Sequence, residues 1–236
     1  IILNISDSQA AHTAGKGGVI MQITIREPGS AITHFIAMMM AVFAAVPLLI
    51  KAGIQSGQEN FLAMAIFMGS MILLYGASAT YHSVDLTGRS LRIFRKLDHM
   101  MIFVLIAGSY TPVCLLALDK KQGIPLLILV WSTAIVGIII KIFFINCPHW
   151  VSSIIYIGMG WTCVLVFKPL LANLPASAFA WLLAGGIIYT VGGIIYGLKL
   201  PIFDKLPKDF GSHEIFHLFV MGGSICHFIF MYAYLM

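Results

Sequence analysis

The stretch IPLLILVWSTAIVGIIIKIFF, residues 124–144, decides the fold, because it is apolar throughout except for a few small polar residues and Lys141 near its end. An α-helix rises about 1.5 Å per residue, so roughly twenty residues cross a hydrocarbon core of about 30 Å. Six other apolar runs of similar length occur along the chain. The predicted spans are residues 31–50, 61–82, 98–118, 124–144, 151–171, 177–198 and 213–235.

The class of fold follows from how backbone groups are paired in lipid. Only helices and closed barrels satisfy every backbone N–H and C=O inside a bilayer. The runs are continuously apolar and lack the alternation of barrel strands. We therefore predict an all-α integral membrane protein, a bundle of seven transmembrane helices formed by residues 27–236. Residues 1–26 form a polar segment to which no role is assigned. Because the sequence starts at Ile1 rather than at a methionine, we expect that part of this segment comes from the expression vector.

The overall composition agrees with this fold. Hydrophobic residues make up 60% of the chain and charged residues 10%, against about 25% charged in soluble domains. The net charge of +5 does not indicate nucleic-acid binding, because the basic residues lie in short stretches between apolar spans. The four cysteines show no metal-type spacing and are interpreted as small buried hydrophobic residues.

The distribution of basic residues predicts the orientation. With the N-terminus inside, ten basic residues fall in cytoplasmic segments: Lys16, Arg26, Arg89, Arg92, Arg95, Lys96, Lys141, Lys199, Lys205 and Lys208. Four fall outside: Lys51, Lys120, Lys121 and Lys168. The positive-inside rule therefore predicts a cytoplasmic N-terminus and an external C-terminus. Among the cytoplasmic residues, the group from Arg89 to Lys96 is interpreted as a solvated loop that meets anionic lipid heads.

Several polar residues sit at helix ends that this topology brings to the cytoplasmic side. His82 ends the second span, Asp98 opens the third, and His213 and His217 open the seventh. In HEIFH the two histidines are four residues apart, so both rings project from one helix face, as chelation of one metal requires. Ser78 and His82 repeat that spacing in SATYH.

This set supplies three imidazoles, a carboxylate and a hydroxyl. Three histidines and a water are the usual coordination of catalytic zinc, so zinc is the first choice, with copper and iron left open. Paired helical histidines also occur as ordinary hydrogen-bonding or interfacial groups. Ionisable residues inside membrane spans are costly, however, and three histidines and an aspartate that converge from separate helices favour a metal site.

Two further histidines lie nearby in sequence. His227 is ten residues beyond His217, about 15 Å along a helix, so it cannot bind the same ion. It either lines an interior cavity together with Ser224 or bonds a backbone carbonyl, and the second interpretation is preferred. His99 points about 100° away from Asp98 on a helix and is interpreted as a packing or interfacial group.

Three motifs carry a resemblance to a known family. They are EPGSAITH (27–34), SATYHSVDLTGRSLRIFRKLDHMMIFVLIAGSYTP (78–112) and HEIFHLFVMGGSICHF (213–228). Together they resemble the haemolysin III branch of the progestin and adipoQ receptor family, from about residue 27 to the end. Ser30 stands where the family commonly has asparagine, and no chemistry is assigned to Glu27 or His34.

The resemblance implies a seven-helix fold with an internal N-terminus and a zinc ion held by His82, His213 and His217. It also implies that Asp98 holds the water at the metal and that Ser78 is the serine of the site. The family's eukaryotic receptors resemble ceramide amidases in their zinc site.

These features lead to several functional hypotheses. The leading one is a zinc-dependent hydrolase of a lipid amide or ester in lipid homeostasis, with Asp98 as general base and Ser78 or the metal stabilising the oxyanion. The alternatives are a sensor of membrane state with structural zinc, a haemolytic pore, and a proton-driven transporter. A pore should carry a sustained polar stripe, which only the seventh span approaches. The expected partner is a membrane lipid, without nucleic acid, and the expected location is the bacterial plasma membrane.

Overall fold

A computed structural model describes residues 25–55, 58–198, 203 and 210–236. Most of the polar segment 1–26 lies outside this description, as do Lys16, Lys199, Lys205 and Lys208 of the charge count. The described chain contains seven helices long and apolar enough to cross a membrane. They are α1 (Pro28–Ile54), α2 (Gln58–Ser83), α3 (Gly88–Ala117), α4 (Lys120–Phe143), α5 (His149–Asn173), α6 (Ala176–Leu198) and α7 (Ser212–Leu235).

The prediction of a seven-helix membrane bundle is confirmed, and most helix ends agree with the predicted spans within a few residues. The side of the membrane on which each terminus lies stays a prediction of the charge count. Large apolar side chains such as Phe43 and Phe143, 69% and 73% exposed, point outward from the bundle. An outward apolar surface of this kind suits contact with lipid rather than with water.

The start of α3 differs from the prediction. The helix begins at Gly88, whose φ of 62° is the left-handed conformation that favours glycine, and not at Asp98. The stretch interpreted as a loop is therefore helical, because a helix can continue beyond the hydrocarbon core into the polar boundary. Arg95 donates to Asn146 Oδ1 at 3.3 Å and Lys96 donates to the carbonyl of Ile142, so the basic residues tie α3 to the end of α4.

Irregular turns occur in α3 and α5, besides the π-turn Met231–Leu235 that ends α7. A π-turn, Val113–Ala117, follows Pro112 in α3, and a 3-10 segment, Trp161–Val166, interrupts α5. Proline lacks the N–H that an α-helix needs, which accounts for the first irregularity. The Tyr110 hydroxyl donates to Gly160 O at 2.5 Å and joins the two segments. Irregular backbone inside a membrane is tolerated where it lines a cavity, and both segments do so.

The helices enclose an interior space. Along the chain α1 packs on α2, α2 on α3, α5 on α6 and α6 on α7, while α3 contacts α5 and α1 contacts α7. These contacts close a ring, and α4 lies outside it against α3. The ends of α2 and the starts of α1 and α7 consequently meet at the same end of the bundle, where the candidate site lies.

Lys141 has an environment that the charge count did not anticipate. It is 1% exposed at the end of α4 and donates to Ser152 Oγ at 2.6 Å and to Cys147 Sγ at 3.0 Å. The interpretation of Cys147 as a buried hydrophobic residue is therefore wrong. Burial is the largest effect on the Cys147 thiol and raises its pKa, but the hydrogen bonds with Lys141 and Ser152 outweigh it, and the pKa is lowered.

Candidate metal centre

The three histidines predicted as metal ligands lie together. His82 is in the last turn of α2, and His213 and His217 occupy the first two turns of α7. Each offers one nitrogen, and these nitrogens lie within 4.8 Å of one another. The Nε2 atoms of His82 and His213 are 3.3 Å apart. Two ligands at 2.0–2.1 Å from a tetrahedral zinc are separated by about 3.3 Å, so this spacing fits a shared zinc ion.

In His82 and His217, a hydrogen bond at Nδ1 determines that Nε2 is the nitrogen available to a metal. The Glu27 carboxylate accepts from Nδ1–H of His82. The Thr33 hydroxyl oxygen lies 3.3 Å from Nδ1 of His217, and its only proton is shared between the carbonyls of Gly29 at 2.9 Å and Ser30 at 3.0 Å. Thr33 therefore accepts from Nδ1–H, and Nε2 of both histidines keeps the lone pair that a metal needs.

Glu27 is a contributor to the site that sequence reasoning missed. Its backbone N–H donates to His82 O at 3.0 Å, and its carboxylate also pairs with Arg26 at 3.2 Å. The hydrogen bond with His82 is the largest effect on the pKa of Glu27 and, with Arg26, holds it below its ordinary value of 4.5 against the opposing effect of burial. The carboxylate therefore stays ionised beside the ligand and orients its ring.

Replacing this carboxylate should weaken metal binding without removing a ligand. We expect Glu27→Gln to reduce zinc affinity roughly 10- to 100-fold, the usual cost of losing a partner that orients a ligand histidine. The measurement is zinc competition with a chelator on purified protein. Glu59→Gln, at an exposed position in the first turn of α2, is the matched control and should leave the affinity unchanged. Equal affinities in the two variants would contradict the role of Glu27.

Other residues of the EPGSAITH motif also belong to the site. The His34 ring stacks on His217 with centroids 3.5 Å apart and planes at 9°, and Ser30 Oγ donates to the Glu214 carboxylate. Ser30 thus ties α1 to α7 although it replaces the family's asparagine. A sequence signal was present, since Ser30, Thr33 and His34 share one face of an otherwise apolar helix.

Asp98 and Ser78 lie beside the histidines. Asp98 is about three turns inside α3 rather than at its start, and it is 7% exposed. Its carboxylate is not part of the clustered ligand set. Ser78 lies one turn before His82, and its buried hydroxyl has no hydrogen-bond partner of normal geometry in the described part of the chain. Both residues line the interior cavity.

His99 contacts Asp98, contrary to the packing or interfacial role predicted for it. Its Nδ1 lies 2.9 Å from Arg95 O and 3.3 Å from Asp98 Oδ2, and its Nε2 lies 3.4 Å from the Tyr196 hydroxyl. Adjacent helical residues point apart, but the short aspartate side chain and the longer imidazole can still meet near the helix surface. His99 therefore helps to position the Asp98 carboxylate.

Two cavities meet at this cluster. One is a cavity of about 170 Å³ that runs into the bundle between mostly apolar side chains. The other is an open, polar space of about 300 Å³, here called the vestibule, lined by Glu27, His82, Arg95, Glu214 and their neighbours. Asp98, His99 and His213 line both. The site therefore lies where a polar entrance joins an apolar interior.

The fold and the site together define the class of protein. It is a seven-helix membrane protein with a cluster of three histidines from α2 and α7, two of them buried and His213 partly exposed, bordered by an aspartate and an apolar cavity.

Comparison with known proteins assigns the family within this class. The family model described as Haemolysin-III related matches residues 22–228, and the chain belongs to that family. It is 39% identical over 215 residues to Hemolysin-3 of Bacillus cereus, covering 91% of this chain and 94% of the relative. It is 40% identical to the Hemolysin-3 homolog of Bacillus subtilis, covering 87% and 92%. The adiponectin receptor protein of Drosophila melanogaster is 22% identical, covering 86% of this chain and 49% of the receptor. The predicted resemblance is confirmed.

Proposed function

We propose that this protein is a zinc-dependent hydrolase that cleaves an amide or ester bond in a membrane lipid. The observation that carries the proposal is the position of the histidine cluster, between a polar vestibule and an apolar cavity, with Asp98 and Ser78 beside it. Such a position would hold the polar head of a lipid in the vestibule and its chain in the cavity.

The residues present fit a zinc ion. The donor set is three imidazoles without a thiolate, and the spacing of two Nε2 atoms matches tetrahedral coordination. His82, His213 and His217 would hold the ion and leave one position open. When bound, zinc would act as a Lewis acid that polarises the substrate carbonyl and activates water.

The remaining steps belong to residues of this chain. The Asp98 carboxylate would accept a proton from the attacking water and pass it to the leaving nitrogen or oxygen. The Ser78 hydroxyl, which makes no hydrogen bond of normal geometry within the described residues, would donate to the oxyanion that develops on the carbonyl. His99 would hold Asp98 in place, and the apolar cavity would exclude bulk water from the reacting groups.

The other functional hypotheses differ from this one in testable ways. A sensor with structural zinc would use the histidines to join α2 to α7 and would turn over no lipid. A pore, which the relatives' name Hemolysin-3 suggests for those proteins, would need a polar path, whereas the interior cavity is mostly apolar. The bacterial relatives also support our proposal that the chain resides in a bacterial plasma membrane, with its N-terminus in the cytoplasm.

A combined metal and substrate assay tests the hydrolase. Detergent-purified protein should contain about one zinc per chain by elemental mass spectrometry, as a three-histidine site predicts. The same sample should release fatty acid from a panel of ceramides and phospholipids, and a chelator should stop the release. Stoichiometric zinc without turnover of any lipid would contradict the hydrolase and favour the sensor. Absence of zinc after supplementation would contradict the metal site.

A further inference from the structure

A buried lysine at the end of α4 lies outside the site described above. Lys141 is 1% exposed. The ion pairs in the described part of the chain involve other residues, and no carboxylate there pairs with Lys141. An ammonium group removed from water is costly unless an anion or strong acceptors lie beside it. The groups that Lys141 does contact therefore show how its charge is compensated.

These groups are a thiol and a hydroxyl. Lys141 Nζ donates to Ser152 Oγ at 2.6 Å and to Cys147 Sγ at 3.0 Å, and the sulfur and the oxygen are 3.2 Å apart. Because Ser152 Oγ accepts from the ammonium, its own proton can point to the sulfur. A thiolate at Cys147 thus accepts two hydrogen bonds and places a negative charge beside the buried ammonium.

The electrostatics of the thiol agree with this geometry. Burial raises the pKa of Cys147, but the hydrogen bonds from Lys141 and Ser152 and the charge of Lys141 outweigh that effect, and the pKa is lowered. A cysteine beside a lysine is ionised to a larger extent at neutral pH than a free cysteine, and the thiolate is the reactive form.

Cys147 is also accessible. It lies in the connection between α4 and α5, residues 144–148, where it is partly exposed and its neighbours Asn146 and Pro148 are exposed. In contrast, Cys114 and Cys226 are buried within their helices. Oxidation of cysteine depends on both thiolate character and exposure, and Cys147 combines the two.

The donors around the sulfur suit a reaction that releases an oxygen anion. When a thiolate attacks a peroxide, the sulfur bonds to one oxygen and the second oxygen leaves with negative charge. Positioned ammonium and hydroxyl donors stabilise charge that develops in this way. Lys141 and Ser152 supply one donor of each kind next to the reacting sulfur.

We propose that Cys147 is a modification site for peroxides, at which the thiolate held by Lys141 and Ser152 is oxidised to a sulfenic acid. The thiolate gives two electrons to the peroxide, so that an S–O bond forms as the O–O bond breaks. The hydroxide that leaves takes a proton from solvent and departs as water. The inference is independent of the proposed hydrolysis, because none of these three residues lines the apolar cavity or the vestibule.

Oxidation of the purified protein by hydrogen peroxide at neutral pH in detergent tests the inference. Dimedone traps the sulfenic acid, and mass spectrometry of the peptide that contains Cys147 gives the rate. The reference is the synthetic peptide FINCPHW, residues 144–150, which keeps the neighbours of Cys147 but lacks Lys141 and Ser152. We expect oxidation about three- to tenfold faster in the protein. Ionisation raises the reactive fraction from a few per cent, and the lower basicity of the thiolate offsets part of that gain.

The variant Lys141→Met replaces the ammonium with an apolar side chain and should slow the oxidation of Cys147 to the rate of the peptide. Lys121→Met, at an exposed position in the first turn of α4, is the matched control and should react like the wild type. Gel filtration in detergent checks that both variants fold.

Wild-type protein in which Cys147 reacts no faster than the peptide would overturn the inference, and this comparison stands even if Lys141→Met fails to fold. A folded Lys141→Met protein that reacts at the wild-type rate would also overturn it, since the ammonium would then not activate the thiol.

Discussion

Alanine at His217 is expected to remove zinc from the purified protein. His217 is 2% exposed, and its available nitrogen belongs to the cluster with His82 and His213. Loss of one of three protein ligands should reduce zinc affinity by more than the roughly 10- to 100-fold that losing an orienting partner costs. Elemental mass spectrometry should then find background zinc in the variant beside about one ion per chain in the wild type.

His82→Ala and His213→Ala should behave in the same way, whereas His227→Phe should retain the ion because His227 lies roughly 15 Å further along α7. Zinc addition should raise the thermal stability of the wild type, since the ion would bind the folded state and join α2 to α7. The three alanine variants should show no such increase. Stoichiometric zinc in His217→Ala would place the metal elsewhere.

Replacing Asp98 with asparagine is expected to separate metal binding from turnover. The carboxylate is outside the clustered ligand set, so Asp98→Asn should retain zinc. Asparagine cannot accept the proton of the attacking water, and a positioned general base typically contributes about 10²- to 10⁴-fold to the rate. Lipid hydrolysis should fall by that amount, measured as fatty acid released per zinc-loaded chain.

Asp85→Asn is the matched control, because Asp85 is exposed in the connection between α2 and α3. It should hydrolyse lipid at the wild-type rate. Normal turnover by Asp98→Asn would exclude Asp98 as the base. A lost ion in Asp98→Asn would instead show that the aspartate contributes to metal binding.

Much of the candidate site could be read from the sequence because its spacing is local. His213 and His217 share a helix face whatever the rest of the fold does, and His82 and Ser78 repeat the same separation. Their placement at one end of the bundle followed from counting spans and basic residues. The four-residue spacing within each helix, together with the count of spans, was thus sufficient to predict that these imidazoles lie at one end of the bundle.

The partners on α1 could not be predicted with the same reasoning. Glu27 and His34 are separated from His82 and His217 by long stretches of chain, and only the packing of α1 on α2 and α7 brings them together. The sequence showed that these polar residues lie in or next to an apolar helix, but it did not show which residues of α2 and α7 they contact. A different limit applies to His99, because its contact with the adjacent Asp98 depends on the conformations of two side chains of the same helix.

By itself the sequence determined that the chain forms a bundle of membrane helices, because apolar runs of bilayer length admit hardly any other structure in lipid. It also determined the local pairs of polar residues on α2 and α7. Only the tertiary structure decided that α3 begins at Gly88, which nitrogens the hydrogen bonds leave available, and that a polar vestibule and an apolar cavity meet at the histidines. These features depend on how separate helices pack, and packing is set by contacts between residues distant in the chain, which spacing along one helix does not encode.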